Sequence, residues 1–279
     1  MNDKPMDTVM LTNLEVGQFR AFGFVVLRNC LTSEEMVEIR RAYKRVMAKA
    51  PKYDYFGSNG TRTLLDFVEE DDTFARLVGH PRVMEAMRDI WGTECLYVGS
   101  DIWSNRDDTP WHSDGQPGRQ TRSLKVTNYL DPMTAAQGAL KVIPGSHHST
   151  FCSSIMQEVG VWDGSRPRLR LDPQQIPGAI AVETQPSDLV IWDNRLWHSA
   201  WKRKDGKARR ALFIAYVPDP GGDLLAIDDL RQFLKPGAFV SRSKKHPALY
   251  GKRLLSKGGP VVRKMAARIE QLTGCKVRK

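Results

Sequence analysis

Downstream of Gly92 the chain is cut into short runs of β-favouring residues, and that texture limits the folds open to it more than any other feature. CLYVGSDIWS (95–104), LKVTNYLD (124–131), GALKVIPG (138–145), AIAVE (179–183), DLVIWD (188–193) and ALFIAYVPD (211–219) are separated by Gly, Pro and Asp, with no long helical period between them. Six such runs predict a mainly β fold with flanking α-helices. The core expected is an antiparallel sandwich or jelly roll, a double-stranded β-helix of the cupin-like kind.

The flanking helices are legible upstream. NLEVGQFRAFG (13–23) suits a short helix and FVVLRN (24–29) a strand. In SEEMVEIRRAYKRVMAKA the apolar residues Met36, Ile39, Tyr43 and Val46 recur every three or four positions, Thr32 or Ser33 can cap the start, and Pro51 follows the end. Shorter helices are expected near DTFARLVGH and PRVMEAMRDIWG, the second opening on Pro81. Residues 150–178, rich in Pro and Gly with weak periodicity, read as an insertion between strands of the kind that forms lids.

At 279 residues and 41% hydrophobic content, one elaborated domain over 1–234 with a C-terminal extension over 235–279 is the expected organisation. The net charge of +10 suggests nucleic acid until its location is traced. Residues 235–279 hold thirteen of the 42 Lys and Arg but one acid, Glu270, for a net +12, which leaves −2 for residues 1–234. The extension therefore reads as a solvated basic tail carrying one amphipathic helix near 260–273, packed on the body, and nucleic acid is not the expected partner. No apolar run is long enough to span a membrane, and MNDKPMDT lacks the layout of a secretion signal. Cys30, Cys95, Cys152 and Cys275 show no C-x-x-C pairing and read as reduced packing residues, so a cytoplasmic location is expected.

Two of the six histidines sit where a structural role explains them poorly. In Trp111-His112-Ser113-Asp114 the imidazole and carboxylate are two apart, so on an extended segment both point to one side. His198 follows the strand-like DLVIWDNRLW and can supply a third ligand from a second strand end. Two His and one carboxylate on one face of an octahedron leave three positions open, the arrangement of non-haem Fe(II) oxygenases, whereas zinc favours tetrahedral sites. Arg209, eleven residues beyond His198, offers a guanidinium fork for the far carboxylate of a dicarboxylate, and strand alternation allows only one of Arg209 and Arg210 to face the pocket.

With these residues in that order, the chain resembles the phytanoyl-CoA dioxygenase family of Fe(II)- and 2-oxoglutarate-dependent oxygenases. GALKVIPGSHHS (138–149) is similar to that family's segment between the two metal-binding parts, and the layout of a helix, GFVVLRNCLTSEE and a long helix is similar to its N-terminal region; the likeness spans roughly residues 13–217. The resemblance implies that His112, Asp114 and His198 ligate iron, that Arg209 holds the C5 carboxylate of 2-oxoglutarate, and that Thr127 adds a co-substrate contact. His147, in the same stretch, is read as fixing a turn.

The expected activity is hydroxylation of an unactivated C–H of a small molecule, using O₂ and releasing succinate and CO₂. Desaturation, ring closure or epoxidation could come from the same chemistry, while the carboxylate of Asp114 argues against halogenation. Trp103, Asn105, Arg119, Arg122 and Trp201 flank the ligands and are the candidate substrate contacts, with Arg119 and Arg122 pointing to an anionic molecule. Two competing readings remain: an oxygenase acting on nucleic acid, and a non-redox cupin-like metal-binding protein, which would have no use for Arg209.

Overall fold

The structure is a computed structural model, and it describes residues 10–49, 61–115, 122–162, 167–170, 176–235 and 245–278. Helix α1 (Asn13–Phe22) opens with a capping box between Thr12 and Glu15 and closes on Gly23 at φ 85°, a left-handed conformation that suits glycine. Strand β1 (Phe24–Leu27) and helix α2 (Ser33–Lys49) follow, the helix burying Met36, Ile39, Tyr43 and Val46 as their spacing predicts. Strand β2 (Arg62–Leu65) and helices α3 (Asp72–Leu77) and α4 (Pro81–Trp91) complete the N-terminal third.

All six β-rich runs form strands: β3 (Cys95–Asn105), β5 (Leu124–Tyr129), β6 (Leu140–Val142), β9 (Ile180–Val182), β10 (Leu189–Asp193) and β12 (Arg209–Pro218). Four more strands lie outside those runs: β4 (Thr109–His112), β7 (Gly160–Trp162), β8 (Pro167–Leu169) and β11 (His198–Ala200). They assemble into two antiparallel sheets, β1-β10-β5-β12-β3-β2 and β7-β8-β4-β11-β6-β9. From β3 to β6, and again from β10 to β12, consecutive strands alternate between the sheets, as a jelly roll requires.

Between the sheets lies an apolar layer drawn from both, with Tyr129, Val190, Trp192 and Ala211 from the first and Leu140, Val142 and Val182 from the second. Behind the first sheet, helices α1 to α4 bury their apolar faces in the largest core cluster. Behind the second, helix α5 (Ser149–Val159) lays Cys152, Ile155, Met156 and Val159 on Trp111 and Trp197. The described parts of the 150–178 stretch hold more regular structure than its weak periodicity suggests: they supply α5 and the antiparallel pair β7 and β8 that extends the second sheet, with Arg168 paired to His112.

The amphipathic helix expected near 260–273 forms and packs on the body, whereas the rest of the described tail is packed as well rather than solvated. After α6 (Leu224–Phe233), residues 245–278 form α7 (Lys252–Lys257) and α8 (Gly259–Thr273), and Tyr250, Leu254, Val262, Met265, Ala266 and Ile269 join the main core. The Tyr250 hydroxyl donates to the Tyr97 carbonyl on β3, and the buried Glu69 carboxylate accepts the backbone N–H groups of Gly251, Arg253 and Leu254. Its charges are paired with the body: Lys245 and His246 with Glu70, Arg253 and Lys257 with Asp72, and Arg268 with Asp219. The excess positive charge is thereby partly spent inside the fold.

Candidate metal centre between the sheets

Strand alternation builds the centre. Trp111 and Trp197 point outward under α5, so the next residues, His112 at the end of β4 and His198 at the start of β11, point inward. The two histidines are direct cross-strand partners, and their ring centroids lie 4.0 Å apart. Asp114 follows β4 in a segment tied to the β10–β11 turn: its N–H donates to the Asn194 carbonyl at 2.9 Å, and the Ser113 hydroxyl donates to Arg195 O at 3.1 Å.

His112 Nε2 stands 3.5 Å from one Asp114 oxygen and His198 Nε2 stands 3.8 Å from the other. One ligand atom from each residue falls within 4.8 Å of the others, the one such group of metal-ligating side chains among the described residues. Each Nδ1 meets a backbone carbonyl two residues upstream, Pro110 O for His112 and Leu196 O for His198, both at 2.8 Å. Those carbonyls call for a proton on Nδ1 and leave Nε2 as the lone-pair donor toward the shared centre, the usual way metal-binding imidazoles are oriented. Both rings are buried, at 4% and 6% exposure. Two imidazoles and a carboxylate so placed fit an Fe(II) ion with positions to spare.

The first sheet faces this centre with β5, β10 and β12. Thr127 is fully buried and accepts the Trp192 indole N–H at 2.8 Å, and the Trp192 ring stacks at 4.4 Å on His198. Lys125, on the same face of β5, donates to the Asp114 carboxylate at 2.6 Å and lies over the rings of Trp192 and Phe213. Arg209 opens β12 and is 5% exposed, yet its guanidinium donates to neutral oxygens alone among the described residues: Trp201 O, Asp107 O and the Thr109 hydroxyl. Burial makes its charge costly and lowers its pKa, and the nearby Tyr129 hydroxyl is pushed up to about 12 for the same reason. Arg210, by contrast, faces the other side and is spent on Asp131.

The five flanking candidates part company. Trp103, half-buried on β3, faces the space between the sheets, its neighbour on β12 being Ala211. Asn105 is consumed structurally, accepting from the Thr61 hydroxyl and the Asp107 N–H. Trp201 lies beneath the Lys141 ammonium at 3.3 Å, and Lys141 pairs with Ser199 rather than His198, which puts it on the opposite face from the histidine. Arg122 is exposed and Arg119 lies outside the described residues. The His147 Nε2–H donates to Arg20 O, 3.1 Å away, tying its turn to α1. Lys125, Trp192, Tyr129 and Asp101 escaped the sequence reading, although alternation in LKVTNY puts Lys125 and Tyr129 on the face of Thr127.

The profile of the phytanoyl-CoA dioxygenase (PhyH) family matches residues 19–211. The chain belongs to that family. Among curated relatives, the ectoine dioxygenase of Sphingopyxis alaskensis is 23% identical over 245 residues, 77% of each chain, and that of Bordetella parapertussis is 27% identical over 235 residues, 72% of this chain and 74% of the other. The same fold recurs in EctD from S. alaskensis with 2-oxoglutarate and 5-hydroxyectoine (TM-score 0.59, 19% identity, 77% and 79% covered). It recurs too in HygX from Streptomyces hygroscopicus with nickel and 2-oxoglutarate (TM-score 0.61, 17% identity, 75% and 87% covered).

Proposed function

We propose that this PhyH-family protein is an Fe(II)- and 2-oxoglutarate-dependent dioxygenase that hydroxylates an unactivated C–H of a small molecule, with release of succinate and CO₂. The observation that carries the reading is the pairing of an inward His₂Asp group with a buried arginine that has no carboxylate partner among the described residues. His112, Asp114 and His198 would hold the iron, and Arg209 the C5 carboxylate of 2-oxoglutarate, with O₂ as the oxidant. The iron and its co-substrate, when bound, supply the oxidising chemistry that protein side chains lack.

The chain's own residues do the positioning. Pro110 O and Leu196 O hold the imidazoles in one tautomer and one orientation. Lys125 occupies one oxygen of Asp114 and so leaves the other for the ion. Thr127 locks Trp192, which packs on His198 and keeps water from that side of the ring. Arg209 is buried, where a bidentate bond to a carboxylate is worth more than in water. Thr127 belongs on the co-substrate's side of this wall as well, two positions from Tyr129 on the same strand face. The paired basic residues of the C-terminal segment favour a small-molecule substrate over nucleic acid. No helix among the described residues is long and apolar enough to cross a membrane, and the unpaired cysteines fit a reducing cytoplasm.

The test is to add Fe(II) and then 2-oxoglutarate without oxygen and record the visible charge-transfer band of a chelated 2-oxo acid. The band is expected in the wild type and absent in His198→Ala. No band in the wild type would favour the non-redox metal-binding reading. Ectoine, the compound named for the relatives, is the first substrate to try.

A further inference from the structure

Asp101 is a carboxylate that the fold places near Lys125 and Asp114 and leaves without an ion-pair partner among the described residues. It lies on β3, paired across the sheet with Phe213 of β12, which in turn pairs with Thr127 of β5. Cross-strand partners share a face, so Asp101 belongs to the inner wall that carries Thr127. Its residue is part exposed rather than sealed. Among the described residues the Trp103 side chain, two positions along and on the same face, is the one hydrogen-bonding group that acts on it. It forms no ion pair with any of them. Lys125, the nearest cation acting on it, is committed to Asp114 at 2.6 Å.

Two buried aspartates of this chain are treated differently. Asp188 accepts from the Arg28 guanidinium and from the N–H groups of Asn29 and Gln185, and Asp193 takes both arms of Arg195. Structural carboxylates here are saturated, whereas Asp101 keeps most of the four or so acceptor sites a carboxylate has. Aromatic residues neighbour it on the same sheet face: Phe213 is its cross-strand partner and Trp103 lies two positions along β3. The Lys125 ammonium, 5.3 Å from the Trp192 ring and 5.6 Å from the Phe213 ring, shows that this wall already accommodates a cation on its ring faces.

We propose that Asp101 is the substrate-anchoring group, taking a protonated nitrogen of an amine, amidine or guanidine, so that the substrate is a cation or zwitterion rather than a plain acid. This inference rests on the oxygenase reading above and specifies the substrate class for that same site. An amidinium or guanidinium presents two parallel N–H donors to a carboxylate, the strong bidentate form of a charge-assisted hydrogen bond. Burial, which raises the Asp101 pKa to about 6, makes a cationic partner more valuable there than at the surface.

The experiment uses the full chain loaded anaerobically with Fe(II) and 2-oxoglutarate, and follows the perturbation of the charge-transfer band as ectoine, benzamidine, benzamide and benzoate are titrated in. In the wild type, ectoine or benzamidine should act at a concentration at least ~10-fold below benzamide and benzoate, about the worth of one charged hydrogen bond. That preference should vanish in Asp101→Asn and in Asp101→Ala while both variants still form the band, which shows that they are folded and loaded. A wild type in which no cation outperforms benzamide overturns the proposal, and so does a cation preference that survives both substitutions. Absence of the band before any probe is added would instead bring down the oxygenase reading, and this inference with it.

Discussion

Among the described residues Arg209 donates to carbonyls and a hydroxyl alone, and a buried guanidinium in that state gains most from an incoming carboxylate. Arg209→Ala should weaken 2-oxoglutarate binding by ~2–5 kcal/mol, the range for losing one partner of a desolvated pair, as measured by titrating the charge-transfer band. Unchanged affinity would refute the assignment. Asp101 makes the complementary case. Burial lifts its folded pKa from 3.8 to about 6, so folding favours the protonated acid. The cost of keeping it charged is full above about pH 6 and gone below about pH 4. Asp101→Asn should therefore stabilise the protein by roughly 1–3 kcal/mol at pH 7.5, at about 1.4 kcal/mol per unit, and by little at pH 4. Thermal melts at the two pH values check it.

Among the elements, the turn before α3 does more than connect. Glu69 caps α7 from a distant part of the chain, and Glu70 beside it clamps Lys245 and His246, whose contacts lower its pKa from 4.5 to about 2. A carboxylate depressed on folding stabilises above its unfolded pKa and loses that contribution as pH falls through its folded one. Acidification from about pH 5 toward pH 2 should thus loosen the 245–250 stretch first. At neutral pH, Glu70→Gln should cost about 1–2 kcal/mol once solvent screening is allowed for. Amide exchange at Tyr250, whose N–H donates to Val277 O, reports the release.

Seen as one body, the molecule has its C-terminal segment inside its core rather than appended to it. Leu249, Tyr250, Leu254, Val262, Met265, Ile269 and Val277 are all at most 5% exposed. At ~1.5–3 kcal/mol for each large apolar side chain, their burial matches or exceeds the whole net stability of ~5–15 kcal/mol expected of a folded protein. A chain ending at residue 244 should fail to give a cooperative thermal transition and should bind a hydrophobic dye, whereas the full chain melts sharply. A sharp melt from the truncated chain would show that the body folds alone.

The primary structure, read locally, determined which segments become strands and which residues can carry chemistry. β-favouring composition in six runs marks six of the strands, and H-x-D, a late His and an Arg eleven residues on mark the candidate centre by residue type and order alone. Strands β4 (TPWH) and β11 (HSA) carry no run of β-favouring residues, so the ligands' own strands could be read only as strand ends. What tertiary structure decided is pairing. Lys125 is an ordinary strand lysine until β4 brings Asp114 to it, and Asp101 is a polar residue in a strand until β12 turns it toward the centre. The basic C-terminal residues look solvated until Glu69, Glu70, Asp72 and Asp219 arrive from elsewhere in the chain. A local pattern reports only the neighbours that the backbone itself supplies, whereas the worth of a buried charge depends on partners brought by folding.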